Sequence, residues 1–302
     1  MTASLPESVW WTPQEVFRYG IKIEGCARNY LMAAPQSLPE AQLALREVHL
    51  ESLKSYRGSA TKCIDVGAFV MMLYKDLTDL QPLSDLPVTH VSITSATRIT
   101  NVATLAAFQH LQQVTFFNCM ALSSIDALKA CPNLQEISCV ACLSLVNVDV
   151  LKEINPRKLK LKACGIWDLS FLSSGSRLQE ANFSDCVQLT SVEELSVCRD
   201  LRVLDLSGCT ALTSLNGIEN CRRLQRLFLW NCSLIKTVEP LKSCADLEVL
   251  ILDGCTSITA LKWLRVCSRL RNVSLIECTQ LKAADVEALE AQIMSPGGSL
   301  DR

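Results

Sequence analysis

The sequence repeats itself with a 23-residue period, and such a period restricts the chain to a stack of similar units. Each clear copy follows the pattern LxxLxLxxCxxLxxLxxLxxCxx. Nine copies begin at Val88, Leu111, Leu134, near Pro156, and at Leu178, Leu201, Leu224, Leu247 and Leu270. The copy near Pro156 is one residue short, and weaker copies precede Val88, beginning at Val66 and at Leu45.

The spacing of apolar residues within one copy predicts a strand followed by a short return segment. Positions 4 and 6 are apolar and alternate with polar positions, which is the two-residue period of a strand. Positions 12, 15, 18 and 21 recur every three residues, which suits a 3₁₀ or short helical segment. One unit cannot bury its apolar side alone, so we expect neighbouring units to stack around one core behind a parallel sheet. In the weak copy at Val66, Phe69 and Met71 would occupy positions 4 and 6.

These copies resemble leucine-rich repeats over about three quarters of the chain. The short unit near Pro156 resembles the 22-residue phosphatase-regulator type, and the cysteine at position 9 resembles repeats of kinetoplastid leucine-rich-repeat proteins. The cysteine-containing repeats of F-box ubiquitin-ligase receptors are similar but usually longer, and the N-terminus lacks a convincing F-box. The resemblance implies an α/β solenoid with a curved parallel β-sheet on its concave face and short helical or 3₁₀ returns on its convex face.

The two ends of the repeat array are expected to be capped, because terminal repeats otherwise expose core. We predict an N-terminal capping segment over 1–44, repeats over 45–281 (weak at 45–87 and clear from 88), a capping helix over 282–294 and a flexible tail over 295–302. A helix beginning at Thr12-Pro13 would turn Val16, Tyr19 and Ile23 inward. This segment would cover the strand predicted at 66–74, which is apolar on both faces.

Composition and charge exclude several classes of protein. Hydrophobic residues make up 49% of the chain, which predicts a large core. The net charge of −2 argues against a nucleic-acid-binding protein, which would carry a basic excess. No apolar run approaches the roughly 20 residues of a membrane-spanning helix, and the N-terminus lacks the features of a secretory signal. We therefore expect a cytoplasmic protein, with the cytoskeleton or a flagellum as candidate locations.

Thirteen of the 16 cysteines follow the repeat, and these are expected to be reduced core residues without a metal. Eight occupy position 9 (Cys119, Cys142, Cys164, Cys186, Cys209, Cys232, Cys255 and Cys278), and five occupy position 21 (Cys131, Cys198, Cys221, Cys244 and Cys267). Cys139 and Cys142 form a CxxC pair, but a zinc site needs four converging ligands and no second pair accompanies them. No catalytic motif and no phosphate-binding loop is found, so we expect no cofactor and no enzymatic activity.

The residues that face solvent from the strands are the candidates for function, since positions 2, 3, 5, 7 and 8 are expected on the concave side, opposite core positions 4 and 6. Positions 5 and 7 turn apolar and aromatic in the C-terminal repeats without being needed for the core, as at an interface hot spot. Lys158, Lys160 and Lys162 alternate on one strand, which indicates either a solvated face or a contact with an acidic or phosphorylated partner. The candidate partner-binding residues are Phe117, Lys158, Lys160, Lys162, Arg226, Phe228, Trp230, Ile251, Asp253 and Ile276.

The pattern favours a non-enzymatic interaction module, either a scaffold or a regulatory subunit of a larger assembly. Its partner would be one or more proteins bound on the concave face, with neither nucleic acid nor membrane insertion. The alternative is a substrate-receptor or adaptor subunit of an enzyme complex such as a ubiquitin ligase. An adaptor-binding helix pair within 1–44 would favour that alternative.

Overall fold

The computed structural model describes Trp10–Trp11, Ile21–Glu24, Tyr30–Leu31, Cys63–Val66 and residues 89–94, 99–173, 175–294 and 297–302. The chain divides into two compact units, Met1–Ser144 and Leu145–Arg302. The described strands of the first unit are β1 (Trp10–Trp11), β2 (Ile21–Glu24), β3 (Tyr30–Leu31), β4 (Cys63–Val66), β5 (His90–Thr94), β6 (Gln113–Phe117) and β7 (Glu136–Val140).

The first unit is built around the parallel ladder from β4 to β7, in which β5, β6 and β7 follow one another at the period of the repeat. The antiparallel strand β2 pairs with β4, and β1 and β3 form a separate antiparallel pair. The 3₁₀ helices Ala103–Ala107 and Asp126–Ala130 return the chain between strands. Val114 and Phe116 of β6 are fully buried, so positions 4 and 6 point into the core as predicted.

The second unit is a parallel ladder of seven described strands joined by short returns. Its strands are β8 (Lys158–Lys162), β9 (Glu180–Asn182), β10 (Val203–Asp205), β11 (Arg226–Phe228), β12 (Val249–Ile251), β13 (Asn272–Ser274) and β14 (Ser299–Asp301). Its helices are α1 (Leu151–Ile154) and α2 (Ala283–Met294), with 3₁₀ helices at Glu193–Val197, Ile218–Asn220, Glu239–Ser243 and Lys262–Val266. Lys158 lies opposite Glu180, an interval shorter than the usual period, so the copy near Pro156 is one residue short as predicted.

The weak copy at Val66 does not have the predicted register. Strand β4 places Ile64 and Val66 opposite the buried residues Val91 and Ile93. The prediction that Phe69 and Met71 fill these core positions is therefore wrong. Ile64 and Val66, an apolar pair earlier in the chain, have the same two-residue alternation and take these positions instead. Residues 67–88 lie outside the described residues.

The N-terminal segment contributes a strand where helical spacing had been expected. Ile23 belongs to β2, which runs antiparallel to β4, so its predicted place on a helix is wrong. Ile21 and Ile23 have the alternation of a strand, and their pairing protects the backbone groups of β4 that would otherwise form an edge. The rest of the predicted helix, with Val16 and Tyr19, lies outside the described residues, as does most of 1–44.

The C-terminal end carries the predicted helix, followed by an unexpected strand. Helix α2 begins one residue later than predicted and buries Leu289 and Ile293. The Gln292 amide donates to the carbonyl oxygens of Leu264 and Cys267, both at 3.2 Å. The prediction of a flexible tail is wrong for Ser299–Asp301, because β14 pairs with β13 and places Leu300 opposite Val273. Helix α2 forms the return between β13 and β14. The spacing between these two strands is therefore longer than the usual period, and the repeat pattern does not predict β14.

Candidate partner-binding face

The candidate surface of the second unit is the sheet face, by which we mean the solvent side of strands β8 to β14. Leu227 and Leu229 are fully buried behind it, whereas Phe228 is half-buried and Trp230 is 50% exposed. This alternation confirms the predicted division between core and surface positions. The large side chains on the sheet face are therefore additional to the core.

The predicted hot-spot residues lie on neighbouring strands. Phe228 is directly opposite Ile251 in the ladder between β11 and β12. In the turns that follow the strands, the Asn231 amide donates to the Asp253 carbonyl at 2.7 Å, and the Gly254 amide donates to the Ile276 carbonyl at 2.8 Å. Trp230, Asp253 and Ile276 thus follow one another across three successive repeats, with Asp253 between the two apolar side chains. Ile276 is 43% exposed.

Position 3 adds two apolar residues that sequence reasoning missed. Val203 and Val249 are half-buried and lie directly opposite Arg226 on the strands to either side. Arg226 was predicted to lie at the edge of the apolar surface, but this register places it between two valines. The alternation of the strand was the available signal, since position 3 faces the same side as positions 5 and 7. We call the apolar patch the six residues Val203, Phe228, Trp230, Val249, Ile251 and Ile276.

The carboxylates around the apolar patch already hold parts of the fold. One oxygen of Asp205 accepts from the Asn182 side-chain amide at 2.8 Å, and the other accepts from the Ser207 backbone amide at 3.0 Å. One oxygen of Asp253 accepts from the Ile276 backbone amide at 3.0 Å. Asp253 was predicted to supply a polar contact to a partner, and in the structure this carboxylate also fixes the start of the neighbouring turn.

A second region of the sheet face is polar, and we call it the polar strip: Lys158, Lys160, Lys162, Glu180, Asn182 and Asp185. The Lys158 ammonium lies 3.4 Å from a Glu180 oxygen, and the Lys162 ammonium lies 3.3 Å from an Asp185 oxygen. Lys160 lies opposite Asn182. Two of the three predicted lysines are therefore matched by acidic side chains of the next repeat, which favours the interpretation of a solvated face.

Phe117 belongs to the first unit, where it forms a separate apolar site. It is 48% exposed at the end of β6, and the amide of the following residue donates to the Val140 carbonyl at 2.8 Å. Met120 and Leu143, both exposed, occupy equivalent positions in the turns that follow. The Ser144 hydroxyl donates to the Met120 carbonyl at 2.7 Å, which joins the two turns. Sequence reasoning missed these two turn residues.

The turn after each strand keeps position 7 in the same place from repeat to repeat. Position 8 has a left-handed backbone, with φ of +74° at Gly208, +60° at Asn231 and +71° at Gly254. The left-handed φ favours glycine or asparagine at this position, and a Cβ at Gly254 would also force the Asn231 side-chain oxygen to move. Gly208 and Gly254 therefore have the structural role that their position at strand ends predicted.

Comparison with known proteins fits this geometry of strand, left-handed turn and 3₁₀ return. Residues 157–282 match the BspA type leucine-rich repeat region in six copies. The repeats within residues 157–282 are therefore leucine-rich repeats. The leucine-rich repeat domain of the type III effector XopL is similar, with 22% identity, a TM-score of 0.54 and coverage of 83% of each chain. An internalin, InlF of Listeria monocytogenes, has 15% identity and a TM-score of 0.52, covering 84% of this chain and 86% of its own. At these identities the likeness shows the fold alone, and no curated protein sequence matches the chain.

The cysteines of the leucine-rich repeats form two hydrogen-bonded columns inside the second unit. At position 9, the thiols of Cys232 and Cys255 donate to the carbonyl oxygens of Leu206 and Leu229 in the preceding repeats, each at 3.1 Å. At position 21, the Cys221 thiol donates in the same way to the Leu195 carbonyl at 3.4 Å. The predicted core location of both cysteine positions is confirmed, because all of these side chains are buried.

The chemistry of these thiols is that of core residues. Burial raises the pKa of the Cys232 thiol to about 12 and that of the Cys267 thiol to about 11, so both stay protonated at neutral pH. Within the described residues, no group of three or more His, Cys, Asp and Glu side chains has the arrangement of a metal site. Neither α-helix of the described ranges has the length and apolar character needed to cross a membrane.

Proposed function

We propose that this chain is a non-enzymatic protein-interaction module, either a scaffold or a regulatory subunit, that binds a partner protein on its apolar patch. The observation that supports this most directly is Trp230, a half-exposed tryptophan in the turn that follows β11, whose side chain is not part of the core. Large exposed aromatic side chains at the centre of an apolar patch contribute strongly to binding when a partner removes them from water.

The backbone beneath the apolar patch supports the same proposal. The ladder bonds of β10 to β13 and the backbone bonds at positions 7 and 8 hold Phe228, Trp230 and Ile251 in place before any partner arrives. A preorganised surface loses little conformational entropy on binding, so more of the interaction energy contributes to affinity. We propose the cytoplasm as its location, where the reducing environment keeps thiols free.

The test is affinity capture with the full chain as bait, carried out in parallel for wild type, Trp230→Ala and Trp167→Ala. Trp167 is the matched control, since this tryptophan is 61% exposed but lies in the turn after β8, away from the apolar patch. We expect Trp230→Ala to weaken capture of a defined partner by about 2 kcal/mol or more, and Trp167→Ala to retain it. Both variants should unfold at the wild-type temperature.

Two results would contradict the proposal. If Trp230→Ala folds normally and still captures every wild-type partner, the apolar patch is not the binding site. If Trp230→Ala unfolds the protein, this side chain belongs to the core after all. The segment expected to distinguish a ubiquitin-ligase receptor falls within 1–44, most of which lies outside the described residues.

A further inference from the structure

Arg226 is a charged group that lies among the residues of the apolar patch. The register places it between Val203 and Val249, and it is exposed. Across residues 175–294, no ion pair and no side-chain hydrogen bond joins its guanidinium to another residue. Glu248, the residue before Val249, is also exposed and forms no ion pair with Arg226.

Any partner that covers the apolar patch also removes Arg226 from water. A guanidinium stays charged at all physiological pH values, so its burial without a counter-charge is strongly unfavourable. The neighbouring carboxylates of Asp205 and Asp253 accept bonds from the Asn182 amide and the Ile276 backbone, respectively. Neither carboxylate forms an ion pair with Arg226 among the described residues, so we expect a partner that buries the guanidinium to supply the paired acid.

The sheet face also restricts the backbone conformation of the partner. The backbone groups of β10 to β13 lie in the plane of the sheet and bond to neighbouring strands, so the face offers none to a ligand. An extended segment laid on this face would bury its own backbone groups unpaired, whereas a helix satisfies them internally. Four strands about 4.8 Å apart span roughly 14 Å, close to the roughly 10–12 Å diameter of a helix with its side chains.

We propose that the partner docks an amphipathic helix on the apolar patch and places an Asp or Glu of its apolar face against Arg226. The inference rests on the proposed function and names the chemistry that this site recognises. Apolar side chains at the i±3 and i±4 positions around the acid would contact Val203, Val249 and Phe228. The carboxylate and the guanidinium would form a paired, charge-assisted contact that water no longer reaches.

The experiment uses a display library of helical peptides about 18 residues long, randomised along one face, and selects binders of the full chain. We expect the selected peptides to carry an Asp or Glu surrounded by apolar residues. Binding of such a peptide should fall about tenfold or more for Arg226→Glu, and should recover when the acid of the peptide is changed to Lys. Arg199→Glu is the matched control, because Arg199 is exposed but lies just beyond the return helix at Glu193–Val197. This control should bind as wild type does.

The outcomes separate this inference from the proposed function. A library that yields no helical binder overturns the inference of a docked helix, whereas helical binders that survive Trp230→Ala count against the apolar patch itself. Binders that need Trp230 but carry no acid, or that are indifferent to Arg226→Glu, leave the patch in place and overturn the role of Arg226. Selection of basic peptides would also overturn it.

Discussion

The polar strip and the apolar patch lie on the same sheet of the second unit and have different chemistry on an identical support. Behind the polar strip lie Leu159 and Leu161, and behind the apolar patch lie Leu227 and Leu229, all buried. The leucine-rich repeat therefore fixes the inner side chains and leaves the outer ones free to vary. In the polar strip, two of the three lysines are matched by acidic side chains of the next repeat. In the apolar patch, aromatic and aliphatic side chains are half-buried or exposed, and this difference supports the binding role that we propose for the patch.

The largest expected effect concerns the columns of buried thiols, which run through the core behind both the polar strip and the apolar patch. The ordinary pKa of a cysteine thiol is 9.0, and burial raises that of Cys232 to about 12 in the folded protein. Below pH 9 the thiol is protonated in both the folded and the unfolded chain, so its full contribution to the free energy of unfolding is present. As the pH rises above 9, the unfolded chain releases the proton while the folded chain keeps it, so stability is lost progressively up to about pH 12.

Each such thiol should lower the free energy of unfolding by about 1.4 kcal/mol per pH unit in that window, and several thiols act together. Denaturant unfolding measured from about pH 7 to about pH 10 should show this decline. Cys232→Ala should give a shallower slope than wild type. A free energy of unfolding that stays level across this range would show that the thiols are not buried as described.

The next effect compares a core-facing side chain with a solvent-facing side chain of the same strand, β11. Leu227→Ala removes a fully buried side chain and should destabilise the protein by about 2–5 kcal/mol, through lost burial and a cavity. Phe228→Ala changes the next residue, which faces solvent, and should cost less than about 1 kcal/mol. Chemical denaturation of both variants makes the comparison. Equal losses would mean that the apolar patch contributes to the core and is not a free surface.

A smaller effect tests the hydrogen bonds of the thiol columns. The Cys209 thiol donates to the Phe183 carbonyl at 3.2 Å. Cys209→Ser keeps a donor but buries a more polar group on a shorter side chain, so we expect a loss of about 1–3 kcal/mol. Cys209→Val retains apolar character without the donor and serves as the control in the same unfolding assay. Full stability of the serine variant would show that the column tolerates any small side chain.

The success of the sequence interpretation depends on how strictly each position is tied to the repeat. The core leucines were predicted correctly, because stacking tolerates only apolar residues at positions 4 and 6. Ile64 and Val66 were misplaced, because the interval from β4 to β5 is longer than the period of the repeat. The strand at Ser299–Asp301 escaped prediction for the same reason.

The polar contacts of the candidate site could not be predicted from periodicity. Whether Asp205 binds Asn182 or a partner depends on side-chain rotamers and on backbone turns, and a repeat pattern contains neither. The charge environment of Arg226 could not be predicted from periodicity either. Its register between two valines follows from the repeat, but the absence of an ion pair with any described residue becomes visible only in three dimensions.

The smallest expected effect concerns the ion pairs of the polar strip. Lys162 and Asp185 lie 3.3 Å apart with both side chains about two-fifths exposed, so solvent screens their attraction. Lys162→Ala should change the free energy of unfolding by no more than about 0.5 kcal/mol, and raised salt should remove even that difference. The same variant should capture partners as well as wild type does, because its charge is already matched within the fold. If Lys162→Ala instead reduced capture as strongly as Trp230→Ala, the partner would extend across both regions, and the division of the sheet face into a solvated region and a binding region would be wrong.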